Sequence, residues 1–270
     1  MKSRVRVMLE KEWADLRTRR GLLVMTFLMP TLFLVVIPVV IGILMPSLLG
    51  AEYYDDPDLA KAFQSMLIRF PELANLTRQE LFQVMLLRQI ITLALLVPVI
   101  CVTTIASHSI VGEKVGRSLE PLLATPITTP ELVVAKSLAS AIPAVGITWC
   151  FFGIYALGVF ALTSNLVFKS VFSPTALCLT FAVAPLIALL ALSLAIITSS
   201  RSTDPRSAQQ IGVVLVLPVV GLMVSQMIGL FFLTPAAVLG GALVLVVIDA
   251  AVLTIGVGLF ERETILTRWK

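Results

Sequence analysis

Six long apolar runs constrain the fold of this chain more than any other feature of its sequence. Each is close to or above the roughly 20 residues that a helix needs to cross a membrane. With 58% apolar and 13% charged residues, the chain also departs from soluble domains, which are about 45–50% apolar and about 25% charged. The sequence therefore predicts an all-α integral membrane protein, and it excludes a soluble enzyme, a disordered chain and a nucleic-acid-binding module. The six predicted transmembrane helices cover residues 22–49, 89–107, 138–162, 174–198, 211–233 and 236–260.

The placement of Lys and Arg predicts the orientation, because cytoplasmic loops of membrane proteins carry an excess of both. Of the 20 basic residues, 15 lie in the N-terminal segment, the loops after the second and fourth runs and the C-terminal tail. An even number of spans returns the chain to the side on which it began. We therefore predict a multi-pass protein of the plasma membrane, with both termini and residues 108–137 in the cytoplasm.

Residues 1–20 form a predicted amphipathic helix at the membrane interface. Apolar residues recur there at helical spacing, from Val5 to Leu16, with basic residues on the rest of the surface. Such a helix lies along the membrane with its apolar face among the acyl chains. The alternative is a basic leader that sets topology and has no further role. The predicted interfacial anchors are Trp13, Arg17, Arg19 and Arg20.

Residues 50–88 form a predicted helical cap on the extracytoplasmic side, within one transmembrane domain that covers residues 1–270. Asp56 and Pro57 are typical of a helix start, with a capping carboxylate followed by Pro at the first helical position. Thr77 and Glu80 have the spacing of a capping box. We expect the helix that begins there to continue without a break into the second span.

The predicted cytoplasmic loop, residues 108–137, has dense helix-start and helix-stop signals. Glu113 and Arg117 are four residues apart, a favourable pair on a helix, and Thr125-Pro126 ends that segment. A second helix is predicted to begin at Pro130 and to run to the end of the third span, over roughly 50 Å. A short helix held between two long helices suits a lever that a cytoplasmic partner presses. A solvated linker is the alternative.

A pattern of charged, small and apolar residues in this loop carries a resemblance to a known family. Its residues are Glu113, Lys114, Gly116, Arg117, Leu119, Glu120, Leu122, Leu123, Thr125 and Pro126, followed by Glu131, Leu132 and Lys136. The pattern resembles the permease subunits of ABC type-2 transporters. Lys11-Glu12-Trp13 before the first span and residues 204–210 before the fifth agree with it. The large segment between the first two spans looks like the sodium- and drug-exporter subgroup.

The resemblance implies a function as the permease subunit of an ATP-driven exporter. In that family two permease subunits pair to form the substrate path, and cytoplasmic ABC ATPase subunits bind beneath them. The short helix from about Glu113 to Leu123 would then dock on the ATPase, and the ten pattern residues between Glu113 and Pro126 would be the ATPase-coupling residues. ATP and Mg belong to the partner, so no cofactor and no catalytic residue is expected in this chain. The sequence agrees, because it has no Gly-x-x-x-x-Gly-Lys-[Ser/Thr] motif.

Polar residues inside the apolar runs are the remaining candidates for a site. Asp249 lies in the middle of the sixth run, where a carboxylate is costly, and Gln226 lies in the fifth. Asp249 is either a substrate or cation contact or a protonated or hydrogen-bonded residue that fixes helix packing. An ATP-independent secondary transporter that uses Asp249 is the alternative function. The single histidine, His108, excludes a metal site that needs two, and no metal site is expected.

Overall fold

The fold is all-α in the part of the chain that this computed structural model describes. The described residues form helices joined by short turns, and no strand occurs among them. They are residues 2–18, 21, 24, 26, 28, 32, 36–115, 129–201, 212–228 and 233–259.

The helices follow the order of the apolar runs. A π-helical segment, Pro38–Leu44, leads into α2, and a π-helical segment, Leu179–Val183, joins α8 to α9. Two 3-10 turns, Ala51–Asp55 and Pro71–Asn75, flank α3. The α-helices are α1 (Lys2–Thr18), α2 (Met45–Leu48), α3 (Pro57–Arg69), α4 (Arg78–Leu93), α5 (Leu96–Val115), α6 (Thr129–Leu162), α7 (Asn165–Val171), α8 (Pro174–Cys178), α9 (Ala184–Arg201), α10 (Gly212–Met227) and α11 (Pro235–Leu259).

Four helical stretches in the described residues are long and apolar enough to cross a membrane. They coincide with the second, third, fourth and sixth predicted spans. In the fifth, α10 has 16 residues, and most of the first lies outside the described residues, so the count of six stays a prediction. The four stretches are Arg78–Ser109, Val134–Leu162, Pro174–Thr198 and Pro235–Thr254.

The predicted helix starts of the 50–88 cap are confirmed. The Asp56 carboxylate accepts hydrogen bonds from the backbone N–H groups of Asp58, at 2.9 Å, and Leu59, at 3.3 Å. Thr77 and Glu80 form the capping box, in which each side chain binds the other residue's backbone N–H. Because these side chains satisfy N–H groups that a helix start leaves free, the cap consists of short, well-terminated helices.

The predicted continuation of the helix from the cap into the second span is confirmed, because α4 runs from Arg78 to Leu93 across the boundary at residue 89. The helix is interrupted at Ala94 and Leu95, between α4 and α5. Pro98 has no N–H to donate to the carbonyl four residues earlier, at Ala94. The Val97 N–H binds that carbonyl instead, at 3.0 Å, and the Leu95 N–H binds the Thr92 carbonyl at 3.2 Å. These tighter three-residue bonds turn the chain before it resumes as α5.

The long helix predicted after the 108–137 loop is confirmed as α6. Its 34 residues, Thr129–Leu162, span about 51 Å at the rise of an α-helix. It packs against α1 and α5, and α5 in turn packs against α9. Small buried residues, including Ala188 and Ala191 on α9, allow helices in a membrane bundle to approach closely. The N-terminal helix is therefore held on the same helices that flank the loop.

Candidate functional site

Three helices meet at the base of the 108–137 loop. The loop leaves α5 at Val115 and enters α6 at Thr129, and α1 packs along α6. Of the ten predicted coupling residues, Glu113 and Lys114 lie on the last turn of α5. The other eight, Gly116, Arg117, Leu119, Glu120, Leu122, Leu123, Thr125 and Pro126, lie outside the described residues.

A buried polar cluster of Glu12, Ser109 and Lys136 connects these three helices. The Lys136 ammonium lies 3.0 Å from Glu12 Oε1, and their side chains are only 5% and 6% exposed. Ser109 Oγ donates to Glu12 Oε2 at 2.7 Å and accepts from Lys136 Nζ at 3.0 Å. One residue comes from α1, one from α5 and one from α6. The polar cluster therefore connects the N-terminal helix to both helices that carry the loop.

Electrostatics keep the polar cluster charged. Burial alone raises the pKa of Glu12, but the Lys136 ammonium and the hydrogen bonds from Ser109 and Lys136 lower it, as does the nearby Lys11 ammonium. The net effect is a Glu12 pKa below its ordinary value. A buried carboxylate is tolerated when it is paired and fully hydrogen-bonded. Glu12 is therefore an ionised, geometrically fixed partner of Lys136.

Local sequence explains how α1 reaches α6. Met8 and Glu12, one helical turn apart, are both buried, at 5% and 4% exposed. Small residues on α6, Ala135 and Ala139, are equally buried, so the backbones can come close. Met8 was predicted to lie on the membrane-facing side of α1, and it packs in the protein instead.

Two of the four predicted interfacial anchors lie in the described part of α1. Trp13 is 37% exposed and Arg17 is exposed, whereas Glu12 is buried. Arg19 and Arg20 lie outside the described residues. Contact of this exposed side with lipid headgroups stays a prediction.

The polar cluster was not predicted from the sequence. Glu12 and Lys136 were recognised there only as parts of the family pattern, and Ser109 was not singled out. The usable signal was a pair of opposite charges at the same predicted membrane surface. Their separation of 124 positions hid it, because no local periodicity connects α1 to α6.

Asp249 is buried inside the chain. It is 4% exposed and extends a buried stripe on α11 with Val238 and Ala242, whereas Val247 and Ile248 on the same helix are exposed. Neither carboxylate oxygen has a hydrogen-bond partner among the described residues. Because α11 packs mainly on α9, the location suits the packing role. A role in the substrate path stays a hypothesis.

Gln226 lies in a different environment from Asp249. Its amide donates to Thr92 Oγ1 at 3.3 Å and lines a cavity beside the 50–88 cap, whose lining does not include Asp249. The two speculative substrate-path residues are therefore not brought into one site. Among the described residues, no group of three or more His, Cys, Asp or Glu side chains could hold a metal ion.

The architecture agrees with the comparison with known protein families. The model of the ABC-2 family transporter protein matches residues 6–260, which extend from the start of α1 beyond the end of α11. Among curated proteins, none matches the chain. Since the family match covers nearly the whole sequence, the chain belongs to the ABC-2 family of transporter proteins.

Proposed function

We propose that this chain is the permease subunit of an ATP-driven ABC exporter. It works as a dimer and is coupled to cytoplasmic ABC ATPase subunits through the 108–137 loop. The family match supports transport across a membrane. The observation that carries the coupling is the polar cluster, because it fixes α1 to both helices that enter the loop.

Coupling through this loop follows from how its ends are held. A force on the loop acts on the end of α5 and the start of α6. Glu12 binds Ser109 on α5 and Lys136 on α6, so the force also reaches α1. The three helices then move together, and α6 carries the displacement into the membrane along its 34 residues. ATP binding and release in the partner would in this way change the arrangement of the spans.

Nucleotide chemistry belongs to the partner chain in this proposal. The sequence contains no Gly-x-x-x-x-Gly-Lys-[Ser/Thr] loop to hold phosphates. ATP and Mg would bind to the ATPase subunits, and this chain would convert their closure into movement. It is a transport subunit without catalytic residues of its own.

The outer surface of α11 supports pairing with a second permease subunit. Only 17% of its most apolar stretch is buried within the chain. Leu243 and Val247 are 70% and 69% exposed, so this face contacts lipid or another subunit. A dimer of this chain, or a pair with a related chain, would place the substrate path between the two subunits.

Co-purification from the native membrane tests the proposal. The tagged protein is extracted in mild detergent, and the chains bound to it are identified by mass spectrometry. We expect a near-stoichiometric ATPase with a Walker motif, and its loss when Glu113→Lys and Arg117→Glu are combined. The control combines Lys61→Glu and Glu72→Lys, matched charge reversals at exposed positions in the cap. It should retain the ATPase.

Two outcomes would contradict the proposal in different ways. Retention of the ATPase by the Glu113 and Arg117 variant would remove the coupling role from this loop while leaving the permease role. Recovery of the permease alone, with ATP-independent transport in vesicles that contain only this chain, would favour the secondary transporter. Loss of that transport on Asp249→Asn would then assign the coupling ion to Asp249.

A further inference from the structure

A cavity with polar groups in its wall lies where the 50–88 cap meets the helical bundle. The cavity has an empty volume of about 550 Å³ when the open space at its mouth is included. The centres of water molecules can occupy about 50 Å³ of it. One ordered water needs about 10–15 Å³ on the latter measure. The interior therefore has room for a ligand headgroup but not for a whole drug-sized molecule.

The wall combines an apolar surface with a small set of polar side chains. Met66, Met85 and Leu179 contribute to the apolar part. The polar part is formed by Arg88, Gln89, Thr92, Ser173, Thr175 and Gln226. A mostly apolar wall with a few fixed polar groups is typical of a ligand site.

Among the residues that line this cavity, Gln89 has a buried polar atom without a partner in the described part of the chain. Its side chain lines the cavity and is 7% exposed, and its Oε1 has no hydrogen-bond partner among the described residues. A buried polar atom without a partner is costly, because it loses its hydrogen bonds to water on folding. A ligand N–H or O–H donor would recover that hydrogen bond.

Arg88 places a positive charge in the same wall. Its Nε and Nη2 donate to the Ser170 carbonyl at 3.0 and 2.7 Å, and its guanidinium lies 4.5 Å from the centre of the Phe70 ring. None of the ion pairs between described residues includes Arg88, and the Glu72 carboxylate acts on its charge without forming one. The guanidinium has more N–H donors than the Ser170 carbonyl accepts, so donors remain for an anion.

We propose that this cavity binds an amphipathic anion whose headgroup also carries a hydroxyl or amino donor. The anionic group binds Arg88, the donor binds Gln89 Oε1, and the apolar part lies against Met66 and Leu179. Gln226 and Thr92, joined at 3.3 Å, complete the polar part of the wall. An anionic lipid headgroup and a small free phosphate ester share this chemistry. The inference concerns binding by this chain alone and does not depend on an ATPase partner.

Binding by the purified full-length chain tests the proposal. The protein is reconstituted in phosphatidylcholine nanodiscs with and without phosphatidylglycerol, and bound lipid is counted by native mass spectrometry. A second arm adds glycerol 3-phosphate, which has the glycerol hydroxyl groups on a phosphate monoester without acyl chains, and measures the rise in unfolding temperature. Saturation with phosphatidylglycerol alone assigns the site to lipid, and a response to glycerol 3-phosphate assigns it to a free ester.

Gln89→Leu distinguishes a ligand site from a structural residue. We expect the variant to bind the effective probe about tenfold more weakly. Without ligand, it should unfold at the same temperature as the wild type or higher, because an unpaired amide has been removed. The matched control is Gln64→Leu at an exposed position on α3, which should bind as the wild type does. Binding of neither probe, or equal binding by the Gln89→Leu and wild-type proteins, would overturn the proposal.

Discussion

Removal of Lys136 from the polar cluster should destabilise the protein strongly. In Lys136→Met, the Glu12 carboxylate keeps the Ser109 hydrogen bond and the half-exposed Lys11 ammonium at 3.7 Å, but it loses the buried Lys136 ammonium at 3.0 Å. A carboxylate that is 6% exposed cannot recover that loss from water. Removing one partner of a buried ion pair costs about 3–5 kcal/mol, and we expect the free energy of unfolding to fall by that amount.

The double variant Glu12→Met with Lys136→Met separates the charge from the packing. Both charges are then replaced by apolar side chains of similar length. Such replacements of buried pairs are often close to neutral. We therefore expect the double variant to be more stable than Lys136→Met alone. The interaction energy of the double-mutant cycle measures how strongly the two residues are coupled.

The assay is unfolding by denaturant in mixed micelles, and the chain offers a matched control. Lys61 and Asp58 form an ion pair with the same 3.0 Å distance, but their side chains are 75% and 89% exposed. Pairs at the surface contribute about 0–1 kcal/mol, so Lys61→Met should have little effect. The reasoning is refuted if Lys136→Met costs no more than Lys61→Met, since burial would then not determine the energy of the pair.

Further predictions concern single sites and the pH dependence of the polar cluster. Because the pKa of Glu12 is lowered from 4.5, the ionised carboxylate stabilises the folded protein fully above that pH, and this stabilisation is lost as the pH falls through the native pKa. We expect the difference in unfolding free energy between the wild type and Glu12→Gln to shrink only in this acidic range, which an acid titration of both proteins measures. Gly42→Ala should lose about 1–3 kcal/mol of unfolding free energy, because its Cβ would overlap the buried Leu87 side chain; an unchanged denaturation midpoint would contradict this. Thr77→Ala should lose about 1 kcal/mol, measured in the same way, and an effect near zero would show that the capping box is dispensable. Asp249→Leu should unfold at no lower denaturant concentration than the wild type, since neither carboxylate oxygen has a partner among the described residues; a clear loss of stability would show that the carboxyl group is needed for packing.

Local signals predicted the parts of the fold that depend on neighbouring residues. Asp56 and the pair Thr77 and Glu80 act within one helical turn, so their spacing alone predicted the helix starts. The start of α6 near Pro130 was predictable for the same reason. The interruption at Ala94 was not predicted, although the sequence contains Pro98. Apolar periodicity does not show which backbone carbonyl loses its hydrogen-bond donor.

Contacts between distant segments could not be predicted from the sequence. Glu12 and Lys136 meet only because α1 packs on α6, and a single sequence does not reveal that packing. Gln89 looked like the polar edge of an apolar run, and its unpaired oxygen is visible only with the cavity around it. Asp249 was identified as unusual because it is a carboxylate in an apolar run. Its burial could not be predicted, because it depends on which face of α11 packs against α9.

The interruption between α4 and α5 divides the apolar stretch Arg78–Ser109 into two helices. The α4 part carries Gln89 and the cavity wall, and the α5 part carries Ser109 and the polar cluster. The turn at Ala94 and Leu95 joins the two parts, whereas α6 beside them is assigned as one helix from Thr129 to Leu162, with Pro143 in its interior. Under the proposed coupling, a movement of α5 would therefore reach the cavity wall on α4 only through this turn.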